Sequence, residues 1–241
     1  MKLKTIYSLV LAVVLLLAVN CFGGDFATLD VIGFSKDGLY LAFEEYGIQD
    51  GSGFPYSNIY FIDTAKNAYA APRIAVTIEK ETASETTAGN RSAVLAAKKL
   101  KQFGIVKGNV GKLVVSHLMT DLTFDGEGDK SVIKFAEEIG SMYHRGDYEL
   151  MITQTPIKTK DCEVFEDETK MLELKLTNKE DDTIKFLQKD TTLPASRGCA
   201  IDYRMQDVYL YKEFIAVFVG VFTRGFEGPD MRFMAVTGTL K

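Results

Sequence analysis

The residues most suited to binding a ligand are concentrated in a few glycine-containing segments that also carry aromatic, amide and charged side chains. Glycine lets the backbone approach a ligand, while aromatic and arginine side chains supply contact area and donors. Structural turns explain the same residues, so both interpretations stay open. If the segments bind a ligand, they should converge on one concave surface. The candidate ligand-binding residues are Gln49, Asp50, Phe54, Tyr56, Arg197, Phe226, Asp230 and Arg232.

The sequence contains little that is typical of a catalytic site. The sequence has no Gly-x-Ser-x-Gly motif, and a serine or cysteine nucleophile would need His117 or His144 as its base. We therefore assign no catalytic residue and predict a non-catalytic binding or interaction module. The alternative is an envelope hydrolase that uses the loop carboxylates Asp37, Asp50 or Asp230. A partly buried carboxylate pair in a cleft would favour that alternative.

One acidic segment resembles the beginning of a calcium-binding loop. Asp125, Glu127 and Asp129 place carboxylates at alternate positions, but the required glycine and the closing glutamate of an EF-hand are missing. A solvated acidic turn is the preferred interpretation. The two histidines are not at zinc-ligand spacing from a cysteine. The sequence therefore predicts no cofactor.

The first 24 residues have the parts of a bacterial export signal. Lys2 and Lys4 give a positive start, an apolar run follows over 9–18, and small residues surround Cys21 and Gly23. The apolar run is short for a membrane-spanning helix with suitable flanks. We therefore predict that residues 1–23 are a signal peptide and that the protein works in the periplasm or outside the cell.

The processing site is compatible with two outcomes. The sequence AVNC at 18–21 resembles a relaxed lipobox, which would leave Cys21 as a lipidated first residue. Ordinary signal cleavage, with Cys21 and Gly23 as small residues before the cut, is the alternative. A membrane is therefore expected as a partner only if Cys21 is lipidated.

Cys162 and Cys199 remain once Cys21 is assigned to the signal region. Two thiols in an exported domain can form a disulfide. Such a bond would close a loop of roughly 37 residues and stabilise the fold by about 4 kcal/mol in the chain-entropy model. Two separate buried thiols are the alternative, and we favour the bond.

Composition and charge narrow the range of partners. Charged residues make up 25% and hydrophobic residues 46% of the chain, and the formal net charge is −5. Removal of Lys2 and Lys4 with the signal would bring it to −7. An acidic surface argues against nucleic acid as a partner, and no second apolar run is long enough to span a bilayer. The expected partner is an envelope protein or a small ligand of unknown identity.

Period-two alternation dominates the chain and predicts a mainly β protein. We expect antiparallel meanders that form a sandwich or propeller-like sheets, within a single domain over 24–241 or two subdomains over 24–120 and 121–241. The predicted strands cover 26–34, 39–46, 58–63, 70–80, 112–118, 131–136, 148–155, 171–177, 183–188, 203–211, 214–222 and 231–238.

A change of period over about 82–103 predicts one α-helix. Its apolar stripe includes Ala96, Leu100 and Phe103. Thr82 and Glu85 have the spacing of a capping box, and Gly104 stands where a glycine commonly ends a helix.

The two ends of the predicted mature chain share an order of features. The shared order is a strand, a tight turn, a second strand, a loop that contains Gly and Phe, and a third strand. It occurs over 30–62 and again over 207–234. We interpret this as two similar three-stranded meanders, although hairpins use few residue types and coincidence gives the same pattern.

Two resemblances to known families follow from these motifs. The sequence FSKDGLYLAF at 34–43 resembles a single WD40-like propeller repeat of periplasmic proteins. A longer resemblance, to a family of predicted secreted bacterial proteins of unknown function, implies export and a shared fold and implies no activity. It is carried by FSKDG at 34–38, EYGIQDGSGFPY at 45–56, LPASRGC at 193–199 and GFEGPDMRF at 225–233.

The signal prediction sets the mass of the native protein. The chain isolated from its host should begin at Cys21 or between Phe22 and Asp25, because the residues before the processing site are removed. Intact mass spectrometry measures this directly and also detects an added lipid. A full-length chain recovered from the cytosol would contradict the prediction.

Overall fold

The computed structural model describes residues 24–117, 130–139, 143–162, 168–226 and 228–240. The signal region with Cys21 and the acidic segment with Asp125, Glu127 and Asp129 lie outside these ranges. Within them the fold is mainly β, as predicted, with twelve strands and one α-helix. The elements are β1 (Thr28–Phe34), β2 (Tyr40–Ile48), β3 (Pro55–Asp63), β4 (Ala68–Thr77), α1 (Glu85–Gln102), β5 (Lys112–Ser116), β6 (Lys130–Ile139), β7 (Tyr143–Pro156), β8 (Lys170–Asn178), β9 (Ile184–Lys189), β10 (Ala200–Tyr211), β11 (Phe214–Arg224) and β12 (Pro229–Thr239).

The strands form three antiparallel four-stranded sheets. The first sheet has the order β1-β2-β3-β4, and the third sheet has the order β6-β7-β8-β9. The central sheet has the order β12-β11-β10-β5. Along the sequence, the chain therefore enters the central sheet with β5, forms the third sheet with β6 to β9, and returns to the central sheet with β10 to β12. The sheets pack face to face in a sandwich-like arrangement. Of the two predicted arrangements, the sandwich is therefore the one that the structure has.

Strand β11 lies in the middle of this stack and is buried on both faces. Phe218 and Phe222 pack with residues of the first sheet such as Phe43. Val217 and Val219 point the opposite way and pack with the third sheet. A strand covered on both sides needs apolar residues at successive positions, which explains the continuous run FIAVFVGVF at 214–222.

Strand β8 shows the other pattern, with one buried face. Leu172, Leu174 and Leu176 are almost completely buried. Glu173 and Lys175 alternate with them and are partly exposed. The alternation therefore gives β8 one buried face and one partly exposed face.

Helix α1 covers the outer face of the first sheet, where Ala96 packs with Ile59 and Phe61. Its N-cap is Ser84, whose side chain accepts a hydrogen bond from the Thr87 amide. The predicted cap at Thr82 is therefore wrong, because Ser84 stands directly before the first helical turn. Gly104 follows the helix with a φ of 62°, as a C-terminal glycine should. None of the helices in the described residues has the length and apolarity needed to cross a membrane.

The two predicted meanders are present as β1-β2-β3 and β10-β11-β12. Their second loops, between β2 and β3 and between β11 and β12, join corresponding strands. Both loops lie at the same end of the sheets, because Tyr56 at the start of β3 donates to Asp25 and the Asp25 amide donates to Asp230 at the start of β12.

The disulfide prediction is confirmed. Cys162 and Cys199 are joined, with their Cα atoms 5.6 Å apart. The bond connects the segment between β7 and β8 to the residue directly before β10. It therefore fixes the connection between β9 and β10, which contributes to the site described below.

The two-sided burial of β11 predicts a large effect of truncating a central side chain. Phe218→Ala should lower the free energy of unfolding by about 3–5 kcal/mol, because it removes a fully buried ring and leaves a cavity. Urea unfolding followed by circular dichroism measures the loss, and Phe218→Leu gives a smaller one if the alanine variant does not fold. Phe226→Ala is the matched control, because Phe226 is 97% exposed and its truncation should change stability by less than about 0.5 kcal/mol. Equal effects at the two positions would contradict the layered core.

Candidate ligand-binding cleft

A cleft of about 1020 Å³ lies where the edge strands of the three sheets approach one another. Its floor is the inner face of β3 and β4, one wall is β12 with part of β11, and the opposite wall is the end of β9 with the connection to β10. The residues that line it are Glu45, Gln49, Tyr56, Asn58, Tyr60, Ile62, residues 67–73, Ala75, Thr77, Gln188, Pro194, Ser196, Arg197, Gly198, Val221, Thr223 and residues 232–235.

Asn67 joins the three edges at one end of the cleft. It occupies the turn between β3 and β4 with a φ of 50°, a conformation that asparagine tolerates better than most residues. Its side-chain amide donates to the Leu187 carbonyl of β9, and its side-chain oxygen accepts from the Thr237 amide of β12. One side chain therefore holds the edges of the first, central and third sheets together.

Glu45 provides a second link between the first sheet and β12. It is 1% exposed and accepts hydrogen bonds from the Phe233 amide at 2.8 Å, the Tyr60 hydroxyl at 2.7 Å and the Asn58 amide at 3.2 Å. A buried carboxylate needs several donors to offset the loss of water. Burial and the nearby Glu45 charge raise the pKa of Tyr60, so its hydroxyl keeps its proton and remains a donor.

Tyr56 and Arg232 form the end of the cleft nearest the two meander loops. The Arg232 guanidinium lies 4.7 Å from the Tyr56 ring centroid and forms an ion pair with the buried Asp25. It also donates to the Asp25 carbonyl at 2.7 Å. Burial raises the pKa of Tyr56, whose hydroxyl donates to Asp25 at 3.1 Å. These contacts fix the orientation of both side chains.

Arg197 forms the opposite wall from a short 3-10 turn, Ala195–Arg197, directly before the disulfide. It makes a two-pronged ion pair with Asp190, and these two side chains are 8% and 1% exposed. Its guanidinium also stacks on Tyr203. Burial acts to lower the pKa of Arg197, but the hydrogen bonds with Asp190 and Tyr203 outweigh it and the pKa is raised. The arginine is therefore a fixed cation.

The floor of the cleft along β4 is more open. Tyr69 is 54% exposed, and the neighbouring positions carry the small side chains of Ala68, Ala70, Ala71 and Ala75. Arg73 is exposed and lies 6.0 Å from the Tyr60 ring centroid. Small residues in an edge strand leave room above the sheet, which accounts for the depth of the cleft on this side.

Four of the eight predicted binding residues line this one cleft, namely Gln49, Tyr56, Arg197 and Arg232. Tyr56 and Arg232 lie at one end of the cleft, and Arg197 lies on the opposite wall. Whether they bind a ligand stays a prediction.

The other four predicted residues do not line the cleft. Asp50 accepts a hydrogen bond from the Gly51 amide, and Asp230 accepts one from the Asp25 amide, so both stabilise local structure. Phe54 is partly buried in the loop between β2 and β3, and Phe226 points into solvent.

Sequence reasoning missed the middle of the cleft, which consists of Glu45, Asn58, Tyr60, Tyr69 and Arg73. A signal for Glu45 was present, because Leu41, Phe43 and Glu45 alternate and must share the buried face of β2. The neighbouring Glu44 faces the helix instead, where it accepts a hydrogen bond from Ser57. A carboxylate on an otherwise apolar face indicates a polar site. No comparable signal marks Tyr69 or Arg73.

Two of the loop carboxylates of the hydrolase alternative, Asp37 and Asp50, lie far apart. Asp37 and Asp50 flank β2 at opposite ends, and nine strand residues span about 30 Å. Asp37 accepts hydrogen bonds from the Ser35 hydroxyl and the Leu39 amide, and these lower its pKa. In the part of the chain that the structure describes, no group of His, Cys, Asp and Glu side chains is arranged to hold a metal ion.

The fold and the cleft together define a sandwich-like β protein with three packed sheets and a polar cleft between their edges. A family model described as "Predicted secreted protein (DUF2259)" matches residues 42–239, so the chain belongs to this family of predicted secreted proteins. The match confirms the resemblance to a family of predicted secreted proteins of unknown function, and the WD40-like resemblance stays a prediction. A search of curated proteins finds no match to the chain.

The buried ion pair of the cleft wall predicts a clear stability effect. Arg197→Ala should lower the free energy of unfolding by about 3–5 kcal/mol, because it leaves the Asp190 carboxylate buried without its cation. Arg204→Ala removes a partly exposed pair with Asp202 and is the control, with an expected loss of about 0–1 kcal/mol. Denaturant unfolding of both variants measures the difference. A loss below about 1 kcal/mol in Arg197→Ala would show that the wall does not depend on this pair.

Proposed function

We propose that this protein is a non-catalytic binding module of the cell envelope and that its ligand occupies the cleft between the three sheet edges. The observation that carries the proposal is the cleft itself, whose volume of about 1020 Å³ is at the upper end of small-molecule sites. Its lining combines three tyrosines, three arginines and several side-chain amides. This mixture offers flat contact surfaces together with directional hydrogen-bond donors.

The walls of the cleft are prepared for binding before any ligand arrives. Arg232 and Tyr56 are held by Asp25, and Arg197 is held by Asp190 next to the disulfide. A site whose side chains are already fixed loses little conformational entropy on binding. The open floor at β4 provides access.

The acidic groups near the cleft favour binding over hydrolysis. Glu45 accepts three hydrogen bonds, and Asp25 and Asp190 are each buried in an ion pair with an arginine. A carboxyl group that acts as a general acid or base has to reach the proton it transfers on the substrate. These three carboxylates are instead directed at donors of the protein itself.

The same proposal places the module outside the cytoplasm as one folding unit over 24–241. The contacts of Asp25 with Arg232 and of Glu45 with Phe233 support a single unit, because they tie the first sheet to β12. If Cys21 carries a lipid, its short distance to Gly24 limits the tether to about 10 Å. The body would then lie close to the membrane surface.

A fragment screen by two-dimensional NMR tests the proposal. Bound fragments should shift the amides of β4 and of Phe233 to Ala235, which line the cleft. Ala75→Trp should reduce fragment binding by at least tenfold, because Ala75 is exposed on the cleft floor and a large ring there fills the space.

The matched control is Ala93→Trp, which adds the same ring at an exposed position of α1 and should leave binding unchanged. Shifts that cluster away from the cleft, or equal binding by the two variants, would contradict the proposed function.

A further inference from the structure

We infer that the ligand of this cleft carries an organic oxyanion, a carboxylate or a phosphate, and that Arg73 is the residue that binds it. The inference rests on the proposed function, since it names the chemical class of the ligand for the same cleft. It depends on how the three arginines of the cleft are partnered.

Two of the three arginines are already committed to buried carboxylates. Arg232 pairs with Asp25, whose side chain is 5% exposed, and Arg197 pairs with Asp190, whose side chain is 1% exposed. An incoming anion would have to compete with these fixed pairs. They therefore shape the cleft walls and are not available as anion receptors.

Arg73 differs from them in its surroundings. It is exposed on the floor of the cleft, and within the described residues it has no carboxylate partner. One of its nitrogens donates to the Tyr60 hydroxyl over 3.4 Å, and its guanidinium rests over the Tyr60 ring. The remaining N–H donors of a planar guanidinium match the two oxygens of a carboxylate or phosphate.

Tyr69 supplies a second group on the same strand. Its ring lies 5.9 Å from the Tyr60 ring. Its hydroxyl supplies a hydrogen-bond donor at the cleft. Its exposed ring face offers a stacking surface for the flat body of a ligand.

The buried carboxylate of Glu45 does not prevent an anion from binding at Arg73. The Tyr60 hydroxyl donates to Glu45 and accepts from Arg73, so it stands between the two charged groups. Glu45 is directed towards β12, where it accepts from the Phe233 amide. An oxyanion on the exposed side of Arg73 is thus separated from Glu45 by the phenol of Tyr60.

Matched aromatic probes test the inference by NMR titration at constant ionic strength. Phenylacetate and phenyl phosphate should produce saturable shifts of the β4 amides, whereas the uncharged phenylacetamide should bind at least tenfold more weakly. The stronger of the two anions identifies the oxyanion the cleft prefers. Arg73→Ala should weaken binding of that anion at least tenfold, and Arg73→Lys should restore part of it, because lysine keeps the charge without the planar fork.

Arg91→Ala is the control, because Arg91 is an exposed arginine of α1 and its loss should leave the titrations unchanged. Equal binding of phenylacetamide, or full anion binding by Arg73→Ala, would overturn the oxyanion inference while the cleft remained a binding site. The absence of cleft shifts in the fragment screen as well would instead overturn the proposed function, so the two failures are distinguishable.

Discussion

Burial of β11 on both faces is the constraint on which the rest of the structure depends. Its alternate side chains belong to two different cores, one shared with the first sheet and the other with the third. A strand of this kind must be central, so β10 and β12 flank it and the other two sheets cover it. The cleft lies where β4, at the edge of the first sheet, faces β12 and the connection between β9 and β10.

The second requirement is that the backbone donors of the edge strands have hydrogen-bond partners, because an edge strand with free donors can pair with a strand of another molecule. Three outward amides of β12 donate to the first sheet and to the segment before it. Met231 donates to the Asp25 carbonyl, Phe233 to Glu45 and Thr237 to Asn67. These bonds join two sheets through side chains and a short backbone segment instead of a continuous ladder. The sheets therefore stay separate at this edge, with space between them.

The strands and the helix could be predicted because their signals are local, and the disulfide because only Cys162 and Cys199 remain after the signal region. Alternation in Leu172 to Thr177 and the apolar run of β11 reflect the environment of each strand alone. The cap at Ser84 was missed because Thr82 offers the same chemistry two residues earlier. The centre of the cleft was missed for a different reason. Arg73 and Tyr69 both contact Tyr60 of the neighbouring strand β3, and nothing in the residues around them in the sequence encodes that contact.

The long-range links between the first sheet and β12 also have a kinetic consequence. Asp25 and Arg232 are 207 positions apart, and Glu45 and Phe233 are 188 apart. Contacts of such high separation form late, because the loop-closure entropy must be overcome first. During synthesis the ribosome therefore releases β1 to β4 long before their packing partner exists. Of the two cores on the faces of the first sheet, the one beneath α1 can therefore form early, whereas the one shared with β11 and β12 has to wait for the end of the chain.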